Sequence, residues 1–184
     1  MARWMTALAL SLLAVTAQAE VQPQGQGGDT AQRLREYFLD AARRGDQPML
    51  GEFIQAGYDL NVHDEKGYTG LILAAYHGQR GAVEQLLAAG ADPCAQDLRG
   101  NTALMGAIFK GEVRIARRLL DASCNPDQRN ANGQTAAMYA ALFQRRELLD
   151  ALAARGADLQ ASDALGNSVL SLRKGEINGV PATP

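Results

Sequence analysis

One step of 33 residues runs through most of this 184-residue chain. Gly67, Gly100, Gly133 and Gly166 keep it, as do Thr69, Thr102, Thr135 and, with a conservative change, Ser168. A second comb runs through Gly45, Gly78 and Gly111, and a third through Gly57, Gly90, Ser123 and Gly156. The series Asp59, Asp92, Asn125 and Asp158 has the same spacing. Several combs with one period and no insertion mean that one small unit is repeated. A unit too short to bury its own apolar face must stack on copies of itself.

Each unit reads as two helices and a link. Thr69, Thr102 and Thr135 stand where a hydroxyl can accept from the free N–H groups of a first helical turn. Short Ala-rich stretches follow (LILAAYHG, ALMGAIFKG, AAMYAALF), and Ala74, Ala107 and Ala140 let neighbouring helices approach closely. Gly78 and Gly111 suit a left-handed helix end. A second helix follows, with Leu86-Leu87 and Leu119-Leu120 as its apolar stripe. The links, such as ADPCAQDLRGN, are turn-rich and cannot be helical.

The segment GADPCAQDLRGNTALMGAIFKGEVRIARRLL resembles the ankyrin repeat, with its G-A-D-P-x-A-x-D-x-x-G-x-T-P-L-H-x-A-x-x-x-G pattern. The resemblance covers about Thr30 to Leu172. It implies an all-α solenoid of helix-turn-helix units with β-hairpin-like fingers, about four and a half repeats long. The units are expected at about 31–63, 64–96, 97–129 and 130–162, with a partial one at 163–174, making 30–174 the repeat domain. The first unit has a degenerate start, as a capping repeat should. The family's T-P-L-H appears only as Thr69-Gly70-Leu71-Ile72, Thr102-Ala103-Leu104-Met105 and Thr135-Ala136-Ala137-Met138. Its proline and histidine are absent, and apolar Ile72, Met105 and Met138 are expected to replace the histidine's hydrogen bonds with packing.

The N-terminus is sequence of another kind. Arg3 precedes the apolar run Met5 to Val15, and Ala17-Gln18-Ala19 places small residues at −3 and −1 of a cleavage site. Residues 1–19 therefore read as a cleavable signal peptide, too short for a comfortable membrane span. Export to the periplasm is expected, with no membrane insertion after cleavage. Residues 20–29, rich in Gly and Gln, read as a flexible lead-in, and 175–184 as a disordered tail. Apolar residues make up 47% of the chain and its net charge is −2. That balance provides for a core and argues against a nucleic-acid partner, which calls for a basic excess.

Little in the sequence points to chemistry. His63 and His77 are the two histidines, neither in a metal-ligand spacing, and no glycine run resembles a phosphate loop. The expectation is no enzyme, no metal and no cofactor. The recurring acids Asp59, Asp64, Glu65, Asp92, Asp97, Asp127, Asp158 and Asp163 could be a calcium ladder. They lack its dense alternation of oxygen ligands, so turn chemistry is the preferred reading. The arginine pairs 43–44, 117–118 and 145–146 fall at different repeat positions and form no stripe. Cys94 and Cys124 lie in loops of adjacent units, and fit either a disulfide between units or two buried thiols.

The resemblance implies a protein-binding module, monomeric by itself, whose variable residues lie at the finger tips and on the first helices. The repeat register puts Glu65, Lys66, Tyr68, Tyr76 and His77 there, then Leu98, Arg99, Asn101, Phe109 and Lys110, then Asn132, Gln134, Leu142 and Phe143. Tyr76, Phe109 and Leu142 share one repeat position and are expected to form a column. Either Tyr76, Phe109 and Phe143 anchor a partner, ringed by Lys66, Arg99 and Lys110, or these rings pack between first helices and steady the stack. His77 taken alone reads equally as an ordinary exposed helix residue. The signal sequence and short repeat array resemble small periplasmic ankyrin-repeat proteins of Gram-negative bacteria, some encoded beside a catalase. This implies an accessory to a catalase or other peroxide-defence enzyme. The other readings are an immunity protein that blocks a secreted toxin and a structural envelope protein.

Overall fold

The computed structural model describes residues 26–179, with side chains from Gly28 onward. The expected signal peptide lies outside these residues. Nine helices form among them: α1 (Gln26–Arg44), α2 (Gln47–Gln55), α3 (Gly70–Tyr76), α4 (Arg80–Ala88), α5 (Ala103–Lys110), α6 (Val113–Leu120), α7 (Ala136–Leu142), α8 (Arg146–Ala154) and α9 (Val169–Lys174). The odd-numbered helices stack in one row and α2, α4, α6 and α8 in a second, each pair packed within its unit. Residues 20–25 of the expected lead-in also lie outside the described residues; from Gln26 the chain is helical, and Asp29 pairs with Arg33 at 3.0 Å. At the other end, the Asn178 amide donates to Asn167 Oδ1 at 2.6 Å, so the start of the expected tail is tied down; residues 180–184 lie outside the described residues.

The hydroxyl comb caps the first helices. Thr69, Thr102, Thr135 and Ser168 accept from the backbone N–H of Ile72, Met105, Met138 and Ser171, three residues on. Ile72, Met105 and Met138 are buried, as apolar substitutes for a polar contact should be. Gly70 differs from its counterparts Ala103 and Ala136 for a local reason: a Cβ there would stand 2.9 Å from the Phe38 ring. Phe38 in turn meets Phe53 and Tyr58, each at 5.4 Å between centroids, giving the first unit an aromatic core.

The fingers are joined by backbone. Leu98 donates to the Lys66 carbonyl at 2.9 Å, Ala131 to Arg99 at 2.8 Å, and Ala164 to Asn132 at 2.9 Å. The comb Gly67, Gly100 and Gly133 permits this: each has positive φ, and a Cβ would come within 2.6 Å, 2.8 Å and 3.2 Å of the next finger's backbone. A second set of struts joins the links. Asn61 Oδ1 accepts from the Asp92 amide and Asp127 Oδ1 from the Asp158 amide, both at 2.8 Å. The residue of that column in the unit between is Cys94, which makes a covalent strut instead: Cys94 and Cys124 are joined, with Cα atoms 5.5 Å apart. Of the two readings open from sequence, the disulfide is the one formed.

Candidate functional site

Finger bases and first helices enclose a groove of about 450 Å³. Lys66, Tyr68, Tyr76, His77, Arg99 and Phe109 line it, all six expected from sequence to face a partner. Tyr76 and Phe109 stack at 6.1 Å with ring planes 11° apart, and Phe143 meets Phe109 edge-on at 5.1 Å. Tyr76 is 39% exposed and Phe109 44%. Tyr76 and Phe109 therefore touch between repeats and still present a face to solvent, while Phe143 is half-buried and lies, with Lys110 and Leu142, outside the groove lining. Lys110 holds its Nζ 5.2 Å from the Tyr76 centroid, within cation–π range.

At the fourth unit the two candidate residues are placed differently. Phe143, at the C-cap of α7, joins the ladder, while Leu142 is half-buried against the core. Tyr68 is also half-buried against the core. His77 is the C-cap of α3 and meets Tyr76 edge-on at 5.4 Å. His63 lies outside the groove, its Nδ1 2.9 Å from the Asp64 carbonyl.

The acidic comb does turn work. Asp64 Oδ1 accepts from the amides of Lys66 and Tyr68 at 2.9 Å, and Asp97 Oδ1 from those of Arg99 and Asn101 at 2.8 Å. Asn130 and Asp163 repeat the pattern at their own fingers. At the links, Asp59, Asp92, Asn125 and Asp158 each accept from the amide two residues on. Partial burial pushes the Asp163 carboxyl upward, but hydrogen bonds from Asn167 and from the Leu165 amide outweigh it and hold the group below the ordinary range.

Leu73, Gly106 and Tyr139 are groove residues that escaped the sequence reading. Tyr139 lines the wall, its hydroxyl 3.2 Å from Asn101 Oδ1 and 3.3 Å from Asn130 Nδ2. Burial pushes its pKa up; the Asn130 hydrogen bond opposes the rise and the Asp97 charge adds to it. Gly106 lies in the floor. Leu73, Gly106 and Tyr139 occupy one 33-residue column, and that change of size along one column was the signal available.

A row of helix pairs bridged by short fingers defines the class: a helical-repeat solenoid whose finger-and-helix face is open to a ligand. The family model described as ankyrin repeats (3 copies) matches residues 38–130 and again 71–163. The chain belongs to the ankyrin-repeat family, whose repeats serve as protein–protein interaction modules. Comparison with curated proteins finds no match. No helix among the described residues is long and apolar enough to cross a membrane.

Proposed function

We propose that this protein is an exported recognition module that holds a partner protein in the groove, with Tyr76, Phe109 and Phe143 as anchors. The ring ladder, exposed at Tyr76 and Phe109, carries this reading. Aromatic side chains bring large contact area at low entropic loss, and such clusters beside Arg and Lys are typical of interface hot spots. Lys66, Arg99 and Lys110 provide the polar rim, with Tyr68 and His77 beside them and Leu142 supporting the end of the ladder. The role proposed is binding, not catalysis.

Export is part of the proposal. It rests on the Arg3, apolar-run and Ala17-Gln18-Ala19 sequence, and the disulfide suits an oxidising compartment such as the periplasm. Among partners, a catalase or another peroxide-defence enzyme is the first to test, on the strength of the resemblance to periplasmic ankyrin-repeat proteins. Intact-mass analysis of periplasmic protein should show Glu20 as the N-terminus; a full-length cytoplasmic chain would overturn export. Periplasmic pull-downs with wild type and with Tyr76, Phe109 and Phe143 all changed to alanine test the site. The triple variant should lose the partner and keep its fold. Equal capture by both would move the site elsewhere.

A further inference from the structure

The floor of the groove is open because of one residue. In the column Leu73, Gly106, Tyr139, the outer two fill their places with large side chains and the middle one leaves its place empty. Gly106 sits inside α5, where glycine is a poorer helix former than alanine. Nothing nearby demands it. A Cβ at Gly106 would meet only Tyr76, at 3.7 Å and 3.9 Å, which is ordinary contact. This contrasts with Gly70, where Phe38 leaves no room. The resulting notch is walled by Leu73, Tyr76, Met105, Phe109 and Tyr139, a mostly apolar set.

The rim has the opposite character. Asp64 and Asp97 are the two acids lining the groove, and each turns its Oδ1 to two backbone amides of its own finger. Three cations line the groove: Arg43 pairs with Asp40 at 3.5 Å, whereas Lys66 and Arg99 have no ion-pair partner among the described residues; Lys110, just outside the lining, rests on the Tyr76 ring. A cationic rim on a chain of net charge −2 favours an anionic occupant locally, against the sign of the whole molecule.

We infer that the groove takes an acidic segment of its partner protein, seating one bulky apolar side chain in the notch over Gly106 while flanking carboxylates meet Lys66, Arg99 and Lys110. This rests on the groove being the recognition site. A single-stranded nucleic acid also offers planar rings and negative charge. Three rim cations beside a notch of side-chain size make a weak phosphate track, so the acidic protein segment is the better fit.

The test uses the mature full chain and fluorescence anisotropy with labelled peptides. They share a central phenylalanine flanked by glutamate, by glutamine or by lysine; an oligo-dT strand is the fourth probe. The glutamate peptide should bind best and weaken about tenfold when salt rises severalfold. Gly106→Leu, which fills the notch, should reduce its affinity at least about tenfold with no drop in Tm, since leucine is the better helix former. Gly106→Ala should bind as wild type and melt higher. Charge reversal at Lys66, Arg99 and Lys110 should remove binding of the glutamate peptide. Equal binding of glutamate and glutamine peptides, unchanged binding by Gly106→Leu, tighter binding of oligo-dT, or no peptide binding at all would each overturn the inference. The partner pull-down separates the levels. If the aromatic triple variant loses the partner while the peptides fail, only the acidic-segment inference falls; if that variant keeps the partner, the groove reading falls with it.

Discussion

Replacing Cys94 and Cys124 together by alanine and serine removes the covalent strut between the second and third units. The bridge closes a loop with a sequence separation of 30, and the chain-entropy model gives it about 3.6 kcal/mol at 25 °C. For a domain of this size each kcal/mol moves Tm by about 2–4 °C, so the variant should melt about 7–14 °C below wild type. The structure also says what a non-covalent replacement looks like. In the flanking interfaces the same column uses Asn61 and Asp127, each accepting an amide of the next unit at 2.8 Å. Cys94→Asn with Cys124→Ser should therefore recover about 0.5–1.5 kcal/mol over Cys94→Ala with Cys124→Ser, the worth of one hydrogen bond. Thermal melts of the three proteins, with wild type repeated in reductant, decide it. A shift under about 2 °C, or no gain from asparagine, would refute the account of this column as a strut.

Three further outcomes follow from the caps, the fingers and the acid comb. Thr135→Ala removes a fully buried cap whose Oγ1 accepts from the Met138 amide, and should lower stability by about 0.5–2 kcal/mol in urea titration. Gly100→Ala should be more damaging than Gly166→Ala in the same assay: both have positive φ, but only Gly100 has the next finger's backbone within 2.8 Å, while Gly166 has nothing nearer than Asn178 at 3.7 Å. Asp163, with its folded pKa held below the ordinary value, stabilises above its unfolded pKa and loses that contribution as pH falls through the folded one; Asp163→Asn should flatten the acid side of the stability–pH curve of the last unit, read by hydrogen exchange.

How far the sequence could be read follows the range of each interaction. Caps, left-handed glycines and Asx turns depend on residues within about four positions, so a 33-residue comb exposes them directly. Thr69, Thr102 and Thr135 could be assigned as caps for that reason. Phe143 could be named as an anchor but its edge-on contact with Phe109 could not be read, because α7 ends at Leu142 and the geometry of the cap residue is not carried by the helical register. The break in the glycine comb at Gln144 has a similar origin. Gly45, Gly78 and Gly111 lie beneath Gln79, Glu112 and Arg145 of the following unit, whereas Gln144 keeps positive φ and uses its own side chain to reach the Arg173 carbonyl at 3.1 Å. The finger-to-finger bonds belong to backbone, so their donors and acceptors leave no mark on side-chain identity beyond the glycines that make room for them.

The bridge and the groove share one interface, and that has a consequence for binding. Cys94 belongs to the second unit and Cys124 to the third; so do Tyr76 and Phe109, the stacked pair of the ladder. In a solenoid each unit touches only its neighbours, so the spacing across one interface is set chiefly by the contacts of that interface. The disulfide joins α3–α5 packing and the Leu98–Lys66 finger bond in holding the interface across which Tyr76 and Phe109 stack at 6.1 Å and Gly106 faces Tyr76. A site held at its bound geometry loses less entropy when it is occupied. Reduction should then weaken partner capture as well as lower Tm. The comparison that isolates this is Asn61→Ala or Asp127→Ala, which cuts a strut at a neighbouring interface. At a temperature where all variants are folded, the reduced protein should bind the partner several-fold more weakly than wild type, and the strut variants should bind nearly as well as wild type. Equal affinity of reduced and oxidised protein would mean that the finger ladder alone holds the groove, and that the bridge serves stability only.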